Sequence, residues 1–162
     1  MENMPKVSVI IPIYNAAEFL GECLDSVLAQ TLTDIEVICV NDGSPDNSLE
    51  ILREYEKKDS RIKIIDQKNQ GAGAARNHGM SVARGEYLSF LDSDDFFDKD
   101  MLKDAYEAAH ACEADVCVFD ADLFNHTTKT FRKCTWAFRR QFFPDRNPFS
   151  PLDEDVRENI FR

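Results

Sequence analysis

Five short apolar runs, separated by stretches with helical periodicity, constrain the fold of this chain more than any other feature. Val7-Ser8-Val9-Ile10-Ile11-Pro12-Ile13 is rich in β-branched residues and almost wholly apolar, as a strand covered on both faces should be. Glu36 to Val40, Ile62 to Ile65 and Tyr87 to Leu91 read as buried strands two, three and four, and Asp115 to Phe119 as a fifth. Between them, Ala17 to Gln30 carries Phe19, Leu20, Cys23, Leu24, Val27 and Leu28 at helical spacing, with Glu18, Glu22, Asp25 and Gln30 mostly elsewhere around the axis. Leu49, Leu52 and Tyr55 mark a second helix, the small-residue segment Ala72 to Ala83 a third, and Met101 to Ala111, starting near Asp98, a fourth. This alternation predicts an α/β fold: a mostly parallel central sheet, helices on both faces, right-handed crossovers. After Asp120 the pattern changes to one or two short strands within Lys129 to Trp136, an aromatic and basic loop from Phe138 to Pro151, and a helix start at Asp153.

In an open parallel sheet, ligands sit beyond the carboxyl ends of the strands. Pro12-Ile13-Tyr14-Asn15 follows strand one, Asn41-Asp42-Gly43-Ser44 strand two, Gly71 to Arg76 strand three with its loop, and Asp92 to Asp95 strand four. All four polar segments are therefore expected on one edge, whereas ordinary surface turns would divide between both. Asp92, Asp94 and Asp95 place three carboxylates within four residues, and their mutual repulsion is relieved by water or by a hard cation such as Mg²⁺ or Mn²⁺. The same residues would also serve as a solvated turn capping the next helix. Asp42 suits a hydrogen bond to a nucleobase or ribose, or a turn bridged through its own backbone. Tyr14 suits a base to stack on or the core edge to cover, and Arg76 a phosphate, a hold on Asp42 or Asp92, or a surface ion pair.

Other chemistries find less support. Gly71-Ala72-Gly73-Ala74-Ala75-Arg76 shares two glycines with the dinucleotide fingerprint, but Arg76 replaces the third and the run follows the wrong strand. No P-loop is present, and the Ile13 to Ala16 loop lacks the basic glycine-rich character that nucleotidyl transfer would call for. A net charge of −11 over 162 residues argues against nucleic-acid and polybasic membrane partners. No apolar run reaches bilayer length and the N-terminus lacks a signal-peptide layout, so a cytoplasmic setting is expected, with membrane-peripheral placement left open for the full-length protein. The five cysteines form no Cys-x-x-Cys pair, and Cys23 and Cys39 read as small buried hydrophobes. His78, His110 and His126 have no partner at metal-binding spacing.

VSVIIPIYN (7–15), LDSVLAQT (24–31), VNDGS (40–44), GAGAARN (71–77) and GEYLSFLDSDD (85–95), in that order, resemble the nucleotide-sugar half of family 2 inverting glycosyltransferases of the GT-A fold. The resemblance covers Pro5 to about Ala111. It implies transfer of a sugar from a nucleoside diphosphate donor, UDP above all, to the hydroxyl of a glycan, a lipid-linked sugar or a protein. Pro12, Tyr14, Asn15 and Asp42 would border the nucleoside, Arg76 would help fix it, Asp92 would lie near the ribose, and Asp94 with Asp92 would hold Mn²⁺ or Mg²⁺. Residues 1–120 would form the nucleotide-sugar-binding domain and 121–162 the incomplete start of an acceptor-side region.

Inverting transfer also needs a carboxylate to take the acceptor proton. In the resembling family that base follows well after the Asp-x-Asp motif, and here it is expected beyond Arg162. Asp153, Glu154 and Asp155, the late acidic cluster, read as a solvated helix start. The chain is thus expected to bind donor with little or no transfer. The alternative is a noncatalytic nucleotide-sugar-binding or protein-interaction domain. Its aromatic tail, Phe138, Phe142, Phe143, Phe149 and Phe161, would favour self-association.

Overall fold

The structure, a computed structural model, describes residues 4–119 and 121–133. Along the chain run β1 (Val7–Ile13), α1 (Leu20–Leu28), β2 (Ile35–Asp42), α2 (Ser48–Lys58), β3 (Ile62–Gln67), α3 (Ala72–Val82), β4 (Tyr87–Phe90), α4 (Met101–Ala111), β5 (Asp122–Asn125) and β6 (Thr130–Lys133). Two compact units are distinguished, Met1–Tyr106 and Glu107–Arg162. In the first, β3-β2-β1-β4 form a parallel sheet, with Val7 level with Ile35 and Tyr87, and Ile38 level with Lys63. In the second, β5 and β6 pair antiparallel as a hairpin, with the Phe124 and Phe131 rings 4.8 Å apart.

The sheet sorts its side chains with the period of two that a pleated strand imposes. Val7, Val9, Ile11 and Ile13 of β1 join Ile35, Val37 and Cys39 of β2 against Leu20, Cys23, Leu24 and Val27 of α1, Leu52 of α2 and Leu102 of α4. Ile10, Ile38 and Val40 face the other way and meet Ala75 of α3. Helices therefore cover both faces, as the α/β reading expects, and each fully buried Leu or Ile contributes about 1.5–3 kcal/mol. Helix α3 comes close because it is built of small residues: a Cβ on Gly79 would lie 2.5 Å from Ile10 Cγ2.

At the amino ends of the strands, Glu36 is buried, at 3% exposure, within a ring of donors. It accepts hydrogen bonds from Ser8 Oγ, Lys63 Nζ and the Arg84 backbone N–H, each at 2.6 Å. Burial pushes its carboxyl up, but the bonds from Lys63, Ser8 and Arg84, with the Lys63 charge, outweigh that and bring it from 4.5 to about 2. Ser8 Oγ in turn accepts the Gly85 N–H at 2.8 Å, tying the entry to β4 to the same cluster.

Three expectations need correction. Residues 115–119 form no strand: β propensity realises a strand only where a neighbour pairs with it, and Val116 and Val118 are exposed. Strand β4 is not buried on both faces, since Leu88 and Phe90 are 44% and 43% exposed at an edge of the described sheet. Gln30 does not belong with the outward polar residues. It lies just past α1 and is buried at 3% exposure. Cys23 and Cys39 are buried free thiols, as expected. Trp136, the five tail phenylalanines and the cluster Asp153 to Asp155 fall outside the described residues.

Candidate active site

The parallel sheet delivers every strand's carboxyl end to one edge, and there an open cleft of about 220 Å³ is lined by Pro12, Ile13, Tyr14, Asp42, Ala72, Arg76, Asp92, Ser93 and Asp94. Six of the seven residues that the sequence nominated are thereby brought together. Asn15, the seventh, is not among the lining residues. Its backbone takes the left-handed conformation at φ 53°, and its N–H donates to Ser44 Oγ at 3.2 Å, which turns the chain after Tyr14. Tyr14 is 53% exposed at the cleft, so its ring is not spent on the core edge.

Asp42 ends β2 almost fully buried, and both oxygens are engaged. Oδ1 accepts from Gln67 Nε2 at 2.7 Å and from the Gln70 N–H at 2.9 Å; Oδ2 accepts from the Gly71 N–H at 2.8 Å. Burial raises its pKa, but these three donors outweigh burial and hold the carboxyl below the ordinary range. A carboxylate offers about four lone-pair sites. Three are occupied, and one on Oδ2 remains. His78 Nδ1 lies 2.7 Å from Gln67 Oε1, which orients the amide whose other end meets Asp42.

The acidic segment is a tight turn closed by the Asp95 N–H on the Asp92 carbonyl at 3.0 Å. Arg76, one helical turn beyond Ala72 on α3, forms an ion pair with Asp92 Oδ1. Among the described residues no cation pairs with Asp94, and the crowding registers on its neighbours. Partial burial, then the charges of Asp94 and Asp92, push the Asp95 carboxyl up. Burial and the same three aspartates push the Cys23 thiol up to about 12. Among the described residues no three acidic, histidine or cysteine side chains converge to enclose a metal by themselves. Asp94, with the Asp92 oxygen that Arg76 leaves unpaired, would suit Mg²⁺ or Mn²⁺, hard ions that take one or two carboxylates and complete their shell with water and phosphate oxygens.

Sequence reasoning missed the residues behind the turn. Cys23, Ser26 and Gln30 repeat at i, i+3 and i+7, and their polar atoms meet the backbone of the acidic segment and its continuation. Polar side chains at the spacing of an apolar stripe were the available signal.

The sheet order, the helices on both faces and the cleft over the strand ends make an open parallel α/β fold, of the GT-A type shared with solved glycosyltransferase structures. The chain belongs to the family described as "Glycosyl transferase family 2", whose profile matches residues 8–159. It is 48% identical over 113 residues to the uncharacterized glycosyltransferase EpsJ of Bacillus subtilis, covering 70% of this chain and 33% of that protein. It is 41% identical over 126 residues to the glycosyltransferase GlyA of Streptococcus pneumoniae, covering 78% of this chain and 18% of that one. Among solved structures, S. aureus TarS 1-349 in complex with UDP superposes with a TM-score of 0.61 at 36% identity, over 65% of this chain and 32% of that one. The mannosyltransferase PcManGT of Pyrobaculum calidifontis, in complex with GDP-Man and Mn²⁺, does so with a TM-score of 0.59 at 26% identity, over 64% and 32%. The chain thus spans about a third or less of these relatives' lengths. No helix among the described residues is long and apolar enough to cross a membrane.

Proposed function

We propose that the cleft binds the nucleoside diphosphate of a sugar donor, and that this chain is the donor-binding part of an inverting glycosyltransferase. The observation that carries the reading is the shared hollow: Asp42 from the end of β2, Arg76 from helix α3 after β3, and Asp94 from the turn after β4 line one cleft. Tyr14 offers an exposed ring for the base to stack on, Pro12 an apolar floor, and Asp42 a single free acceptor site for the base edge. One remaining lone pair suits the lone imide N–H of uracil better than guanine, whose N1–H and amino group present two adjacent donors. UDP is therefore the donor nucleotide we favour, in line with the UDP complex of TarS.

Arg76 holds Asp92 toward the ribose side, and Ala72, at the first turn of α3, brings the positive end of a helix dipole to the cleft. Asp94, with Asp92, would hold Mn²⁺ or Mg²⁺. Such an ion supplies neutralisation of the charge that develops on the departing diphosphate. The carboxylates lining the cleft are given to the nucleobase, the ribose and the cation in this reading, and we assign the base for an acceptor hydroxyl to the acceptor-side portion of the longer relatives. Residues 1–120 would then be the donor domain and 121–162 the start of the acceptor side.

A thermal shift with a panel of nucleoside diphosphates, with and without Mn²⁺, tests this. At a hundredfold excess over the dissociation constant, linkage gives about 2.7 kcal/mol of stabilisation. UDP with Mn²⁺ should give the largest shift, and Asp94→Ala should remove the metal-dependent part. No shift with any nucleotide would refute donor binding and favour an interaction domain.

A further inference from the structure

Cys23, Ser26 and Gln30 lie in the LDSVLAQT stretch or one residue before it, line no part of the cleft, and are not used by the donor-binding reading. Each reaches across a sequence separation of about seventy residues to the same irregular segment. The Cys23 thiol donates to the Asp92 carbonyl, the oxygen that also closes the acidic turn, at 3.7 Å. Ser26 Oγ donates to its own helix at the Cys23 carbonyl, 2.7 Å, and accepts the Phe97 N–H at 3.1 Å. The Gln30 amide uses both ends: Nε2 donates to the Ser26 carbonyl at 3.1 Å and the Asp98 carbonyl at 2.6 Å, and Oε1 accepts the Leu102 N–H at 2.9 Å. Residues 92–100 lie in neither helix nor strand, so these side chains supply partners that regular structure would otherwise provide.

We propose that the row Cys23–Ser26–Gln30 is a positioning device for the acidic turn, setting where Asp92 and Asp94 are offered to a cation and its diphosphate; this rests on the donor-binding reading above. Three neighbouring carboxylates push one another apart, and a turn held only by its own backbone bond would spread under that repulsion. A functional constellation has to be held to about 0.5 Å, and loops are poor at this without support from rigid elements. Helix α1 is such an element, with Cys23, Leu24 and Val27 in the main core. The three residues stand outside the cleft lining, and their effect passes through the backbone of the turn.

The test measures UDP affinity by calorimetry on the whole 162-residue chain, with and without Mn²⁺, for wild type, Gln30→Met and Ser26→Ala. Glu36→Gln, at the far end of the strands, serves as a stability control. The gain in UDP affinity from Mn²⁺ should fall about tenfold in Gln30→Met, the usual size of an outer-shell effect on a metal site. It should fall less in Ser26→Ala, while metal-free UDP affinity stays within about twofold in both, because Asp42 and Tyr14 are untouched. Amide exchange at Asp95 and Phe97 should quicken while Gly71 is unchanged. An unaltered Mn²⁺ gain in both variants, or an equal fall of both arms matching that of Glu36→Gln, would overturn the positioning role and leave donor binding standing. No Mn²⁺ gain in the wild type would overturn the metal reading and this inference with it.

Discussion

Replacing Glu36 by Gln removes a buried negative charge from the amino ends of the strands and leaves the cleft alone. In the folded chain the carboxyl lies at about 2 against an ordinary 4.5. At about 1.36 kcal/mol for each tenfold change, that gap corresponds to about 3 kcal/mol of stability linked to ionisation. Lys63 and Arg84 are 42% and 50% exposed in their side chains, so solvent screening reduces the figure to about 1–2 kcal/mol. The sign follows from a lowered pKa: the stabilisation is complete above 4.5 and is lost as pH falls through about 2. At neutral pH Glu36→Gln should therefore unfold at lower urea concentration, with an unchanged slope and a loss of about 1–2 kcal/mol. Toward pH 2 the two proteins should converge, because the wild-type carboxyl becomes as neutral as the amide. Urea titrations of both proteins at neutral pH and at successive acid steps would show this. A difference that stays constant with pH, or a variant more stable than wild type at neutral pH, would refute the assignment of that stability to the Glu36 charge.

Two further outcomes follow from the geometry. Tyr14→Ala should leave the unfolding midpoint nearly unchanged, since the ring is exposed, yet weaken UDP binding by about 1–3 kcal/mol in a calorimetric titration, the range for base–aromatic stacking. Gly79→Ala should gain about 1 kcal/mol of helix propensity but lose about 1–3 kcal/mol from forcing a methyl group against Ile10, for a net loss in urea unfolding.

The legible part of the fold was the part governed by a strict local period. The first two strands announce themselves because both faces are covered and nearly every residue is apolar, and α3 does because only small residues suit a helix lying against Ile10. The edge was harder. Tyr87 to Phe90 carries the apolar content of a central strand, but whether Leu88 and Phe90 are covered depends on what packs over them, which composition does not encode. Residues 115–119 misled for a related reason, as β-branched content expresses a preference and pairing decides the outcome. The cleft was legible because one topological rule gathers the strand ends, so Asp42, Arg76 and Asp94 could be grouped without coordinates. Gln30 reads as an outward polar residue in the sequence because helical spacing gives only an angle. Its burial comes from backbone groups of a segment about seventy residues away in sequence.

The crowded aspartates at the lip also shape the approach of any visitor. A free diphosphate drifting toward this edge meets charge of its own sign, and the repulsion reaches about 8 Å at physiological ionic strength. Encounter by the bare nucleotide would therefore quicken as salt is added, the reverse of ordinary steering between opposite charges, whereas a nucleotide arriving already chelated would meet little such barrier.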